Sequence, residues 1–317
     1  MKIFLMYLKE RIVNNKSIIF ILISVFIFIF CFLTIKNSYF NEIINYMETY
    51  INYYVAKYLQ GDYTSLIVSS NMPLSIFVEN DVVGILSAPY LYCFMHSNTI
   101  FSIYLFVLPF IIFKYINNIY YDDVHNGFAN NVILKIGKKK YIRYTLSTNC
   151  ILGGILAVVP KIIYYIFLLI FYYPSFSHKF VINNYNFINN RALEIFQIYN
   201  PISLVIGDIV MSLFYGVVVA LISTIIILLS KKKINTYLIF ILVMVGQSII
   251  FSLLENISSK YILSSMFSYY SIYSVLNVWL ESRLSIVWSL APIIVLTFIL
   301  IIITMILLKR KLKDSYE

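Results

Sequence analysis

The sequence predicts an all-α integral membrane protein with six transmembrane helices, an amphipathic N-terminal interfacial helix and extra helices in its outer loops. Three observations carry this. Six long runs are almost free of charge: Ser17–Ile35, Ser97–Phe113, Leu146–Tyr173, Ile209–Ser230, Ile234–Leu254 and Leu284–Leu308. Most of them reach the roughly 20 residues that a helix needs to cross about 30 Å of hydrocarbon. The composition, 61% hydrophobic and 12% charged, leaves little for a soluble domain, so residues 1–317 read as a single transmembrane domain. Finally, the positive charge is stacked on alternate connections.

That asymmetry sets the orientation. Lys2, Lys9, Arg11 and Lys16 precede the first run, and Lys309, Arg310, Lys311 and Lys313 follow the last. Lys114, Lys135, Lys138, Lys139, Lys140 and Arg143 follow the second, and Lys231, Lys232 and Lys233 follow the fourth. The opposite connections hold only Lys36, Lys57, Lys179, Arg191, Lys260 and Arg283, over longer stretches. The positive-inside rule places both termini in the cytoplasm. The net charge of +10 is then anchoring to the inner leaflet. A nucleic-acid partner is not expected, because no basic patch belongs to a soluble domain.

Taken in order, residues 1–16 alternate Ile3, Phe4, Leu5, Leu8, Ile12 and Val13 with Lys2, Lys9, Glu10, Arg11 and Lys16. This helical spacing with a basic flank predicts a helix lying on membrane lipid, turning into the first span. The first span is too long for a signal peptide, and Thr34-Ile35-Lys36 offers no small-residue cleavage site. The first outer loop, 36–96, contains Phe40, Ile43, Ile44, Met47, Ile51, Tyr54, Val55 and Tyr58 at offsets of three and four, which predicts a helix over 37–59 ended by Gly61-Asp62. Residues 82–95 are apolar, too short to span and broken by Pro89, and suit an interfacial or re-entrant piece. Lys114 ends the second run. The polar second outer loop lies near Pro174–Pro201, and the third, Glu255–Arg283, is rich in tyrosine and predicts a further interfacial helix. Many tyrosines fall at span ends, where an aromatic belt accounts for them.

Two charges break the apolar pattern. Lys161 lies well inside the third run, after Pro160, and Asp208 enters the fourth from the same outer side. A lysine in mid-helix costs about 2.5–3.5 kcal/mol on insertion scales, so it must snorkel or find a partner. Two readings stay open: snorkelling to the outer headgroups beside a proline kink, or a Lys161–Asp208 pair holding spans three and four together.

Catalytic and metal signatures are missing. There is no G-x-x-x-x-G-K-[ST], no H-E-x-x-H and no G-x-S-x-G. His96, His125 and His178 lack metal-ligand spacing, and Cys31, Cys93 and Cys150 are isolated, so neither a metal nor a disulfide is expected. The chain is expected to hold no cofactor and to be no enzyme.

One cytoplasmic stretch, 114–145, has its own pattern. Tyr120 to Arg143 reads as acids (Asp122, Asp123), a turn at Gly127, a short helix with Phe128, Val132, Ile133 and Ile136 on one face, a stop at Gly137, and a basic run from Lys138 to Arg143. A short apolar-faced helix needs something to bury against, either its own bundle or a soluble partner's groove. In order and spacing, Asp123-x-x-x-Gly127, Val132–Ile136, Gly137 and Lys138–Arg143 resemble the loop between spans two and three of type 2 ABC transporter permeases, which are exporter-like. The resemblance extends to six spans, cytoplasmic ends and the N-terminal amphipathic helix.

The resemblance implies a permease subunit of an ABC exporter in a cell membrane. Residues 114–145 would be a coupling loop docking on a cytoplasmic ABC ATPase subunit through Phe128, Val132, Ile133 and Ile136, with Gly127 as hinge and Asp123 as cap. ATP and Mg would bind to that separate ATPase. A second permease subunit, identical or related, would complete the transporter. By analogy the substrate would be amphipathic: a peptide, an antimicrobial or a lipid-like molecule. The richness in Ile, Asn, Lys, Tyr and Phe suggests an A- and T-rich genome, hence a bacterium. The competing reading is a membrane protein that needs no ATPase: a sensor, an immunity or assembly factor, or an integral membrane enzyme.

Overall fold

The computed structural model describes residues 18–30, 32–33, 88, 92, 99–125, 127–171, 201–230, 233–258 and 286–314. The N-terminal interfacial helix expected over 1–16, the outer-loop helix over 37–59, most of 82–95 and the third outer loop beyond Ser258 lie outside these residues. Among the described residues the chain is all helical, without strands.

The helices are α1 (Ile18–Phe30), α2 (Thr99–His125), α3 (Phe128–Ile136), α4 (Lys138–Phe171), α5 (Pro201–Leu229), α6 (Lys233–Ser258) and α7 (Ile286–Asp314). Four contain stretches long and apolar enough to cross a membrane: Ile103–Asp123, Lys138–Phe171, Val205–Leu229 and Ile293–Arg310. Ile18–Phe30 and Lys233–Gly246 are shorter apolar helical stretches. Multi-pass membrane character follows directly. Large apolar side chains cover the outside, among them Phe26, Ile170, Leu242 and Phe298, each more than 60% exposed. Such a surface suits hydrocarbon, where apolar groups lose nothing by facing outward.

Helix ends do not coincide with the ends of the apolar runs. The second run stops at Lys114, yet α2 continues to His125. Lys114 is exposed while its neighbours Tyr115 and Ile116 are buried, so one lysine rides on the surface of an unbroken helix. Likewise α4 begins at Lys138, within the basic cluster, and α5 begins at Pro201. An apolar run records the hydrocarbon, whereas a helix stops only where its backbone does. Proline suits the first helical position because its missing N–H would be unpaired there anyway. Gly137, at φ 80°, separates α3 from α4.

At the centre of the bundle, α4 and α5 pack against each other along their lengths. Gly153 and Gly216 make this possible. A Cβ built on Gly153 would overlap the carbonyl oxygen of Gly216 and lie 2.7 Å from Ala220 Cβ. A Cβ on Gly216 would in turn overlap the carbonyl oxygen of Gly153 and lie 2.9 Å from Ala157 Cβ. The two backbones therefore touch where a side chain would hold them apart, the small-residue approach typical of membrane helices. The remaining helices surround this pair. Phe113 of α2 stacks on Phe240 of α6 with centroids 4.1 Å apart, and Phe28 of α1 stacks on Tyr164 of α4 at 5.5 Å.

Candidate functional site

The α4–α5 contact has a simple sequence basis. On α4, Asn149, Gly153, Ala157 and Lys161 recur every fourth residue. On α5, Asp208, Ser212, Gly216, Ala220 and Thr224 do the same. Residues four apart share a helix face, so each helix carries one stripe of small and polar residues through an otherwise apolar surface. The two stripes meet in antiparallel order. Lys161 lies against Asp208 at one end, the glycines cross in the middle, and Asn149 reaches Thr224 at the other end.

The inner end is a neutral hydrogen bond. Asn149 Nδ2 donates to Thr224 Oγ1 at 3.0 Å, and Thr224 Oγ1 donates to the Ala220 carbonyl at 2.8 Å. A buried hydroxyl is thereby used both as donor and as acceptor. Between α2 and α6, Thr236 Oγ1 stands 3.3 Å from Asn117 Oδ1, another buried polar contact across helices.

The outer end is charged. Lys161 is fully buried and Asp208 is 2% exposed. Lys161 Nζ lies 2.8 Å from each carboxylate oxygen of Asp208, so one ammonium serves both acceptor atoms. Tyr92 adds a third member, its hydroxyl donating to Asp208 Oδ2 at 2.5 Å. Of the two readings of Lys161, the structure has the paired one: the side chain is enclosed by protein and does not reach outward. Pro160 precedes it within α4 and is itself buried.

Aromatic rings enclose the charges. Phe101 of α2 places its ring centroid 5.5 Å from Lys161 Nζ. Tyr92 packs on Tyr164 and Tyr165 at 6.1 and 5.5 Å between centroids. Phe28 of α1 packs on Phe101, Tyr104 and Tyr164. Ring faces are negative and favour a nearby ammonium, while the rings keep water and lipid away. Side chains from α1, α2, α4 and α5, together with Tyr92, thus converge on one ion pair. In these surroundings the two charges depend on each other. Removing either partner of a buried pair costs about 3–5 kcal/mol, because it leaves an uncompensated charge.

Sequence inspection singles out Lys161 and Asp208 but misses Tyr92 and the glycine crossing. The crossing has a readable signal, the four-residue recurrence of small and polar residues in two apolar runs. Tyr92 has none, since it is one of 29 tyrosines and belongs to a stretch too short to span. Of that stretch, Ala88 and Tyr92 are described; both are helical and buried.

The cytoplasmic candidates are arranged differently. Phe128–Ile136 is a helix bracketed by Gly127 at φ 66° and Gly137 at φ 80°. Backbone bonds pass through both glycines, from Asn131 N to Gly127 O at 3.2 Å, Gly137 N to Ile133 O at 2.8 Å and Tyr141 N to Gly137 O at 3.1 Å. The expected apolar face packs within the chain: Ile133 and Ala129 are buried with Tyr141 of α4, and Val132 and Ile136 pack against them. Phe128 is half-buried. The outward side instead carries Asn130, Asn131, Lys135 and Leu134, the last 80% exposed. Asp123, expected as a cap, lies within α2, and the N-terminus of α3 has no side-chain capping bond. The expected loop over 114–145 is thus nearly all helix, with α2, α3 and α4 meeting at two glycines.

Among the described residues no group of His, Cys, Asp and Glu could hold a metal ion. No family model, no curated protein and no solved structure matches this chain.

Proposed function

We propose that this chain is the membrane-spanning permease subunit of an ATP-driven ABC exporter, with six spans and both ends in the cytoplasm of a bacterium. The observation that carries this reading is α3. A short helix hung between two long apolar helices by two positive-φ glycines keeps its apolar face on its own bundle and holds Leu134 out, 80% exposed. Exposed Lys138, Lys139 and Lys140 follow directly, which places α3 on the basic, cytoplasmic side under the positive-inside rule. A large apolar side chain on a polar cytoplasmic surface fits contact with a soluble partner, and α4 runs from there to the buried ion pair. A separate ABC ATPase would bind ATP and Mg, and its closure would press on α3 and tilt the α4–α5 pair. A second permease subunit, identical or related, would form the other half, and the cargo would be amphipathic.

Co-purification tests this reading. The tagged chain, extracted from its native membrane in mild detergent, should bring down a P-loop ATPase of about 25–35 kDa, the size of one or two compact domains. ATP hydrolysis should accompany the complex. A chain that purifies without any ATPase, from cells where it functions, returns the ATPase-independent reading.

A further inference from the structure

Asp208 holds two partners of unequal strength. The bond to Lys161 joins opposite charges through both carboxylate oxygens, with all three atoms buried. Separating them inside the bundle would leave two unpaired charges, which the apolar surroundings oppose strongly. The bond from Tyr92 is a single neutral hydroxyl on an oxygen that Lys161 already neutralises. Breaking it leaves no new charge. Furthermore, α4 and α5 are locked at the glycine crossing and at Asn149–Thr224, so two contacts besides the ion pair keep them together. Tyr92 lies 116 residues from Asp208 in sequence, and among the described residues its polar tie to the bundle is that one bond. Its other described contacts are rings, Tyr164 and Tyr165, on which it can slide.

We infer that the Tyr92 hydroxyl is a releasable latch, which docks the Ala88–Tyr92 turn onto a permanent Lys161–Asp208 clamp. The clamp serves as a fixed charged anchor, and the turn can leave it while α4 and α5 remain paired. This inference does not depend on the chain being a transport subunit. It assigns the moving contact to the outer end of the α4–α5 pair in any multi-pass membrane protein built on this bundle.

Thiol labelling tests the latch. One variant carries Ala88→Cys as its sole cysteine, with Cys31, Cys93 and Cys150 replaced by serine; another keeps Cys150 of α4 alone. Ala88 is fully buried, so N-ethylmaleimide should label position 88 slowly in membrane vesicles. Tyr92→Phe keeps the ring and removes the hydroxyl. It should speed labelling at 88 about tenfold, as loss of a hydrogen bond to a charged group shifts a local opening, and leave Cys150 unchanged. In the neutral double variant Lys161→Met with Asp208→Asn, the hydroxyl loses its charged acceptor, and labelling at 88 should also rise. An unchanged rate at 88 in both backgrounds overturns the latch. So does an equal rise at 88 and at Cys150, which would mean general loosening. Loss of the Tyr92→Phe chain from the membrane overturns it too, since a releasable bond cannot be one that the fold requires.

Discussion

Lys161 and Asp208, 47 residues apart on neighbouring helices, share an ammonium and a carboxylate at 2.8 Å through both oxygens, entirely within protein. Two costly residues thereby become one neutral unit. On α4 the lysine sits about ten residues from Phe171, and on α5 the aspartate sits about seven from Pro201, or roughly 15 Å and 10 Å along the helices. Similar distances from the same side bring them level, and the glycine crossing brings the helices close enough to touch.

Mutual dependence is the first expectation. Lys161→Met should destabilise the detergent-solubilised chain by about 3–5 kcal/mol, because Asp208 is left buried without its counter-charge. Adding Asp208→Asn should recover much of that loss. Thermal unfolding followed by size-exclusion chromatography gives the double-mutant cycle, and strictly additive losses would show two independent residues.

The glycine crossing should discriminate between adjacent positions. Gly153→Ala places a methyl group on the Gly216 carbonyl and should cost about 1–3 kcal/mol or separate the helices. Gly154→Ala meets only Leu213 and Val217, at 3.6–3.8 Å, which is ordinary contact, and should be nearly neutral. Equal melting temperatures for the two variants would contradict the close approach.

The two faces of α3 should separate stability from partner binding. Leu134 is 80% exposed, so Leu134→Asp should leave the melting temperature unchanged and abolish co-purification of the ATPase. Ile133 is buried against Tyr141, so Ile133→Asp should destabilise the chain itself by several kcal/mol. If the Leu134→Asp protein binds its ATPase normally, α3 is not the docking element.

Orientation is checked by single cysteines. Glu48→Cys should react with an impermeant maleimide from outside, and Lys139→Cys only after the membrane is opened, given the basic asymmetry. The reverse pattern would invert the orientation. External labelling at 139 alone would mean that residues 82–95 cross.

The Asn149–Thr224 bond should contribute little by comparison. Thr224→Val should cost about 0.6 kcal/mol, the usual value for a hydrogen bond between membrane helices. The same unfolding assay should therefore rank it well below Lys161→Met.

By itself the sequence determined that this is a multi-pass helical membrane protein, which side is basic, and that Lys161 needs a partner. Each of these is a local matter. An apolar run is long enough or it is not, charges are counted connection by connection, and a buried lysine is costly wherever it lies. The bounds of Phe128–Ile136 were equally local, since Gly127 and Gly137 adopt backbone angles that other residues avoid. Only the tertiary structure decided what each face meets. Ile133 turns inward onto Tyr141 and Leu134 outward, although the two are adjacent and both apolar. Tyr92, one aromatic among many, became the third member of the ion pair because the packing brought its hydroxyl to Asp208. In hydrocarbon, apolarity does not say which side of a helix is covered, because lipid and protein are equally acceptable neighbours. Contact is then chosen by shape and by the few polar atoms that need one another. Those choices were made where Gly153 met Gly216 and where Lys161 met Asp208.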